Sequence, residues 1–531
     1  MAGRSLVWLL PVLITACAQV RDLSGGDKDT AGPRLIEADP APLSTNFHGD
    51  RILLKFDERV KLERVRDRML VSPPLEVPPT VHVSGARNVS IEFNAPLEEN
   101  TTYTFGIGEA VRDLTEGNPA AGLTYVIATG DVLDSLMVTG LVVDAFKGTA
   151  EKDVLVLLYA EDDTASFRTG RPSYATRTDT AGAYSLQHLR SGTYRIQALR
   201  DQNANYRYDL PNEEIAFSDE RTVVSAADTT ARPITLRLFR EPSSVQQVRE
   251  ARVIADGALR LIMARSAQEI ALRDIARDGG TLTWSSEWNS TRDTVLLWPS
   301  DTTALDDGRY EVRTELGILD TLPYRPMERM PFFTGLGTAV REDQDGAIVM
   351  IRATRPLEEI DPDRFQLLKD SLPIPFTVER DSADQRLLRL RTGLEPGASA
   401  SLTILPKAVR DRFDGHNDTL RVGIGRAAER STGMLRVKLE AGDPGPFIVQ
   451  LLDQQGRIVR EQRISNTDAA IVWERLTPGN RTLRLIRDGN ANGRWDTGSL
   501  RNGLQPEPVW RYPETVNVRA AWDLGVTWKL Q

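Results

Sequence analysis

The sequence is poor in the residues that most chemistry requires. Of its 531 residues one is cysteine, Cys17, and four are histidine, His48, His82, His188 and His416. A single thiol cannot build a disulfide framework, so packing has to hold the fold even in an oxidising compartment. The histidines stand far apart, with no His-x-x-x-His or His-Glu pair to set two ligands on one metal ion. A Gly-x-Ser-x-Gly elbow and a phosphate-cradling Gly-x-x-x-x-Gly-Lys run are also missing. Beyond the N-terminal segment no apolar run reaches the roughly 18 residues that a transmembrane helix needs. The 66 basic residues are outnumbered by 75 acidic ones, for a net charge of −9, and no Lys/Arg-rich block occurs. That removes the electrostatic footprint of a DNA- or RNA-binding protein. Carboxylates are plentiful, as in Glu161-Asp162-Asp163, but nothing selects a pair for acid–base work, so the chain reads as a non-enzyme.

What is present is an ordinary soluble composition, 40% hydrophobic and 27% charged, in a chain long enough for about four or five domains. Short β-type runs bounded by Pro, Gly, Asn and Asp recur throughout, among them Arg51 to Phe56, Val89 to Phe93, Thr101 to Phe105 and Leu123 to Ile127. The expected fold is all-β, with tandem β-sandwich domains in an extended array. One helix is expected, near Ala267 to Asp278.

Self-similarity is the most informative feature. Leu97-Glu98 followed by Ala110-Val111-Arg112-Asp113 and Gly117 recurs as Leu394-Glu395 followed by Ala408-Val409-Arg410-Asp411 and Gly415. Leu189, Gly192 and Arg200-Asp201-x-Asn203-Ala204-Asn205-x-Arg207-x-Asp209 recur without a gap as Leu476, Gly479 and Arg487-Asp488-x-Asn490-Ala491-Asn492-x-Arg494-x-Asp496. The order A, B, an intervening stretch, A′, B′ suits duplication of a two-domain unit. The expected divisions are residues 1–16 (signal), 17–33 (tether), 34–131, 136–240, 241–333, 334–426 and 431–531. The intervening 241–333 is expected to be a further sandwich, from runs such as Asp293 to Trp298 and Tyr310 to Arg313.

The N-terminus has the parts of a secretion signal: Arg4, then the apolar run Ser5 to Ile14, too short to remain as an anchor. Ile14-Thr15-Ala16-Cys17 resembles the lipobox of bacterial lipoproteins, which implies cleavage before Cys17 and diacylglycerol on its thiol. Several acyl chains anchor firmly where one alone binds marginally. Ala18, a non-aspartate after the cysteine, resembles an outer-membrane sorting signal, with the leaflet left open. Ala18 to Pro33, containing Ser24-Gly25-Gly26-Asp27-Lys28-Asp29, has a tether's composition.

Ile52 to Asp57, Leu97 to Tyr103 and Ala110 to Asn118 resemble the bacterial Ig-like domain of S-layer and cell-envelope proteins. The A′ copy departs from the pattern, with Pro396-Gly397 where A has Glu99-Asn100. The B segments, with Thr178-Asp179-x-x-Gly182-x-Tyr184-x-Leu186 and Gly192-Thr193-Tyr194, resemble the prealbumin-like or carboxypeptidase-regulatory-like sandwich. The whole chain resembles the Ig-like-domain lipoproteins of the Bacteroidetes lineage. These resemblances imply location and architecture, not an activity.

The best candidate site is the repeated Asp/Asn loop. Asp201, Asn203, Asn205 and Asp209 occupy relative positions 1, 3, 5 and 9, as do Asp488, Asn490, Asn492 and Asp496. Those are oxygen-bearing positions of an EF-hand-type calcium loop, and Gly493 stands at position 6, where such a loop turns sharply. Position 12 carries Asn212 and Ser499 rather than Glu, so a bidentate ligand has to come from elsewhere, Glu213 or Glu214 in the first copy. Few carboxylates imply weak binding. The plainer alternative is an Asx-rich turn whose side chains bond their own backbone.

Five of the nine tryptophans, Trp473, Trp495, Trp510, Trp522 and Trp528, lie near the C-terminus. The alternation Trp522-x-Leu524-x-Val526-x-Trp528 fits a strand with one buried side, so core packing is the main expectation. Trp495, inside the second loop, is expected to be the most exposed ring and so the candidate ligand contact. Together these readings point to a lipid-anchored protein of the outer membrane and cell envelope with a structural or protein-interaction role, of which an accessory subunit of an outer-membrane complex is a special case; the alternative is a surface glycan-binding lipoprotein. The expected partners are the membrane, through the lipid, and other envelope proteins.

Overall fold

The computed structural model describes residues 29–531 apart from 121, 161–166, 227–231, 244, 255–257, 276–282, 290, 301–306, 326–333, 343–345, 383, 429–430, 441, 443–444, 468–469 and 531. Cys17, the signal segment and most of the tether therefore lie outside the described residues.

Two kinds of strand build the molecule. In Arg51–Phe56 the residues Ile52, Leu54 and Phe56 are fully buried while Arg51 and Lys55 face water, the period-2 pattern of a strand with one wet side. In Leu155–Ala160 every residue through Tyr159 is buried, as a strand covered on both faces requires. Helix among the described residues comes only in short pieces, such as Val65–Arg68 and a 3-10 turn at Pro362–Arg364.

The strands fall into five successive groups, and among the described residues no strand pairing joins one group to another. In the first, Arg51–Phe56 pairs with Leu35–Asp39 and Asn88–Glu92, and Asn88–Glu92 pairs with Thr80–Ser84. A second sheet sets Thr102–Gly106 between Leu70–Ser72 and Thr124–Ala128. The fourth group repeats this plan, with Ala347–Ala353 and Leu387–Thr392 at the centre of one sheet and Ser399–Ile404 at the centre of the other. The repeated Val-Arg-Asp segments do the same thing in both: Val111–Asp113 pairs with Val60–Leu62, and Val409–Asp411 with Leu357–Ile360.

The second and fifth groups share a different plan. Leu136–Asp144 pairs antiparallel with Ala183–Leu189 and parallel with Ile234–Leu238; Gly433–Glu440 pairs in the same way with Ile471–Leu476 and Asp523–Lys529. In each, a nine-residue strand, Gly192–Arg200 or Gly479–Arg487, splits its outer edge between two short partners.

The third group is a third copy of the first plan. Leu259–Met263 and Thr294–Pro299 sit at the centre of one sheet, and Gly308–Thr314 lies between Ala271–Asp274 and Gly317–Tyr324 in the other. Only Glu315 and Leu316 separate the last two strands, where the first domain inserts its Val-Arg-Asp excursion between Thr102–Gly106 and Thr124–Ala128. Without that excursion the signature that betrays the other two copies is gone.

Two expectations are corrected here. The helix expected near Ala267 to Asp278 is instead a strand, Ala271–Asp274, on the edge of the Gly308–Thr314 sheet. Its inward side carries Leu272 and Asp274 and its outward side Ala271 and Arg273, so an open sheet edge overrides a run of good helix formers. The array is also not extended throughout, because the fifth sandwich folds back onto the second. Thr497 Oγ1 donates to Arg240 O at 2.9 Å, Gln505 Nε2 to Phe217 O at 2.9 Å and Arg511 Nε to Lys147 O at 2.7 Å.

Candidate functional site

The twin loops lie at the ends of the two nine-residue strands, and in both copies the backbone needs left-handed conformations at positions 4 and 6. Ala204 and Tyr206 have φ of 58° and 62°; Ala491 and Gly493 have 57° and 80°. Glycine takes such an angle without strain, whereas Tyr206 takes it because the loop around it is tightly hydrogen-bonded.

Those bonds come from the predicted residues. Asp201 accepts the N–H groups of Asn203, Ala204 and Tyr206, and Asp488 those of Asn492 and Gly493. The amides of Asn203 and Asn205 donate to Asp209 at 3.2 and 2.7 Å. Those of Asn490 and Asn492 donate to Asp496 at 2.6 and 2.5 Å. All eight predicted side chains thus belong to two matching constellations.

A further carboxylate closes each loop. Glu213, fully buried, accepts N–H groups from Gln202, Asp209 and Leu210. Glu507 accepts those of Gly489 and Asp496 at 2.7 and 2.9 Å. Glu213 was one of the two residues expected to complete the first loop. Glu507 was not anticipated, because it lies farther along the chain and reaches the loop only through the hairpin that Gly479–Arg487 makes with Val509–Arg511. Burial, with the nearby Asp496 and Asp488 charges, holds the Glu507 carboxyl above the usual range although the Asp496 and Gly489 N–H groups pull it down.

Each loop therefore offers only hard oxygen donors, the class calcium takes. Among the described residues no three His, Cys, Asp or Glu side chains stand close enough together to hold an ion in the arrangement seen. The amide nitrogens of the asparagines, rather than their oxygens, face Asp209 and Asp496. A cation would require those amides to turn over.

The second loop is also part of the junction between the second and fifth sandwiches. Trp495 is half-buried, its ring 5.1 Å from that of Phe146 and its Nε1 donating to Glu507 O at 2.9 Å. Trp495 is therefore not the most exposed ring of the set, as the sequence suggested, because docking of the two sandwiches partly covers it. Trp473 and Trp528 are core residues and Trp510 packs beside them. The exposed ring of the set is Trp522, with the Arg519 guanidinium 5.0 Å from its centre. A lone ring of this kind is not a stacking platform. Gly498 completes the junction, since a Cβ there would lie 2.6 Å from the Phe239 ring.

A second junction joins the third and fourth sandwiches. Glu287 receives a two-pronged bond from Arg386, at 2.7 Å from Nε and 2.5 Å from Nη2. Trp298, from the same sheet as Glu287, lies 6.3 Å from Phe413. Burial raises the Glu287 carboxyl, but the hydrogen bonds and charge of Arg386, helped by Trp298 and Arg352, outweigh it and leave the group below its ordinary range.

The repeated Val-Arg-Asp segments are structural corners. Asp113 accepts three backbone N–H groups, from Glu116, Gly117 and Asn118. Asp411 accepts those of Phe413 and Gly415 and forms a buried pair with Arg355 at 3.2 Å.

With this geometry in place, residues 29–128 match the bacterial Ig-like domain family, which agrees with the plan of the first sandwich. A comparison with curated proteins returns no match. Solved structures similar in part include the major pilin subunit of Bacillus cereus, at 10% identity over 74% of this chain and 99% of that one, TM-score 0.14. The S-layer protein SbsC is similar at 11% identity over 92% and 67%, TM-score 0.15. A surface glycan-binding protein of Bacteroides ovatus, solved with a mixed-linkage heptasaccharide, is similar at 10% identity over 69% and 88%, TM-score 0.18.

Proposed function

We propose that this is a non-enzymatic, lipid-anchored protein of the outer membrane and cell envelope, a braced spacer that presents loops and strand edges to other envelope proteins. The observation that carries the reading is the docking of the fifth sandwich on the second, which turns five small domains into a body able to hold its outer surfaces at a fixed distance from a membrane. The match of the first sandwich to bacterial Ig-like domains and the lipobox-like Ile14 to Cys17 support the location. Sandwich loops on a rigid frame supply recognition surfaces.

The test is native co-purification of the full-length lipoprotein from gently solubilised membranes. Stoichiometric recovery of an outer-membrane barrel is the expected result and assigns an accessory role. Recovery of the protein alone, together with measurable affinity for neutral oligosaccharides, overturns it in favour of glycan capture.

We propose in addition that each Asp/Asn loop takes calcium weakly. What favours this is the arrival of Glu213 and Glu507 at equivalent places in both copies. Burial chiefly, and the Asp496 and Asp488 charges beside it, raise the Glu507 carboxyl, and a divalent cation would relieve the like-charge part. Asp201, Asn203, Asn205, Asp209 and Glu213 would hold one ion, and Asp488, Asn490, Asn492, Asp496 and Glu507 the other. Its role would be to stiffen the docked junction.

A further inference from the structure

A cleft of about 660 Å³ opens where the second, third and fifth sandwiches meet, within the size range of small-molecule and cofactor sites. Each domain sends one guanidinium to its wall: Arg168, Arg265 and Arg501. Two carboxylates also reach it, and both are already engaged. Asp209 accepts the Asn203 and Asn205 amides. Glu241 accepts Ser499 Oγ at 2.9 Å, Arg501 N at 3.2 Å and Arg168 Nη2 at 3.2 Å.

Among the described residues the side chains of Arg265 and Arg501 have no hydrogen-bond or ion-pair partner. Two unpaired guanidiniums in one cleft of a chain with net charge −9 are a local reversal of sign. Guanidinium forks match carboxylate and phosphate oxygens two at a time. The remaining wall is mixed: Asn502, Ser243 and Gln247 are able to bond hydroxyls, and Leu210, Pro211, Pro242 and Val245 supply small apolar surfaces between them. The one ring present, Tyr208, is buried, so the cleft has no face on which a neutral sugar could stack.

We propose that this three-domain cleft binds an acidic saccharide, with Arg265 and Arg501 gripping its anionic groups and Asn502, Ser243 and Gln247 its hydroxyls. A long polyanion is disfavoured by the negative charge of the whole chain; a short one that enters the cleft is not. Because the walls come from three domains, the ligand binds only the docked form, and binding and docking reinforce each other. The inference rests on that docking and not on the lipid anchor, so its failure would leave the proposed envelope role standing.

The test is calorimetric titration of the full-length protein in detergent with three probes: trigalacturonate, glucose 1,6-bisphosphate and maltotriose. At least one acidic probe should bind, with affinity falling as salt rises, while maltotriose does not. The acidic probe that binds tells carboxylate from phosphate as the recognised group. The double variant Arg265→Gln/Arg501→Gln should weaken that binding about tenfold or more with an unchanged melting profile. No binding of either acidic probe, equal binding of maltotriose, or a double variant within about twofold of the parent would overturn the inference.

Discussion

The Arg484 guanidinium lies 4.4 Å from the centre of the Phe146 ring, a contact between the fifth sandwich and the second. Phe146 sits on the loop after Leu136–Asp144 and touches both this guanidinium and the Trp495 ring. Arg484 is itself fixed by a 2.7 Å bond from its Nε to Gln450 Oε1. Partial burial of this kind makes a cation–π contact stronger than at a fully wet surface. Replacing Phe146 by Ala should cost about 1–3 kcal/mol at the junction and leave both cores intact. In scanning calorimetry the fifth sandwich should then melt separately and earlier, and small-angle scattering should show a larger radius. A single unchanged transition would mean that the polar bonds around Arg240 and Phe217 suffice.

The Glu287–Arg386 pair gives the third and fourth sandwiches a pH dependence. The Glu287 carboxyl is held below its ordinary value in the folded state. Its contribution is therefore fully present above the ordinary glutamate range and is lost as pH falls through the depressed folded value. Glu287→Gln should flatten the acid side of the stability profile for these two domains, read as melting temperature between pH 3 and pH 7. An identical profile in the variant would rule the pair out as its source.

Asp411 is fully buried between two backbone N–H groups and Arg355. Asp411→Ala should destabilise the fourth sandwich by about 3–5 kcal/mol, the cost of breaking a buried pair, as measured by urea denaturation. Its first-domain counterpart, Asp113, should show the same direction of effect, because three backbone N–H groups, those of Glu116, Gly117 and Asn118, lose their acceptor.

Calcium is expected to act at the level of a weak extracellular site, with a dissociation constant on the order of 1 mM. At ten times that concentration each loaded loop should gain about 1.4 kcal/mol, visible as a higher melting temperature than in chelator. Glu507→Gln should remove the share owed to the second loop. Identical melting with calcium and with chelator, and no bound metal by elemental analysis, would leave the loops as hydrogen-bonded turns.

Cys17→Ala should move the protein from the membrane fraction to the soluble one and abolish incorporation of labelled fatty acid. Continued partitioning with membranes, with label still incorporated, would end the lipoprotein reading.

Much of the architecture could be read in the residues themselves, because strand alternation and internal repeats are local. Period-2 burial at Ile52, Leu54 and Phe56 is a pattern along one strand, and the gapless repeat of Asp201 to Asp209 at Asp488 to Asp496 needs no third dimension to be noticed. All-β character, the two recurring domain types and the eight loop residues follow from such signals. The kinship of the third sandwich to the first does not: it lies in strand order, and the tight turn at Glu315 and Leu316 has deleted the segment whose sequence carried it.

Other features were decided only by packing. The Ala271–Asp274 strand forms because a neighbouring sheet has an open edge, which a window of helix-forming residues cannot reveal. Glu507 joins its loop through a hairpin, and Trp495 is covered because a distant domain lands on it. The sequence by itself determined which short segments become strands and corners, since those depend on side chains a few residues apart. Tertiary structure alone decided which surfaces meet, and with them where Phe146 finds Arg484 and where the Arg265 and Arg501 side chains are left without partners among the described residues, because such contacts depend on shape and charge brought together across the whole chain.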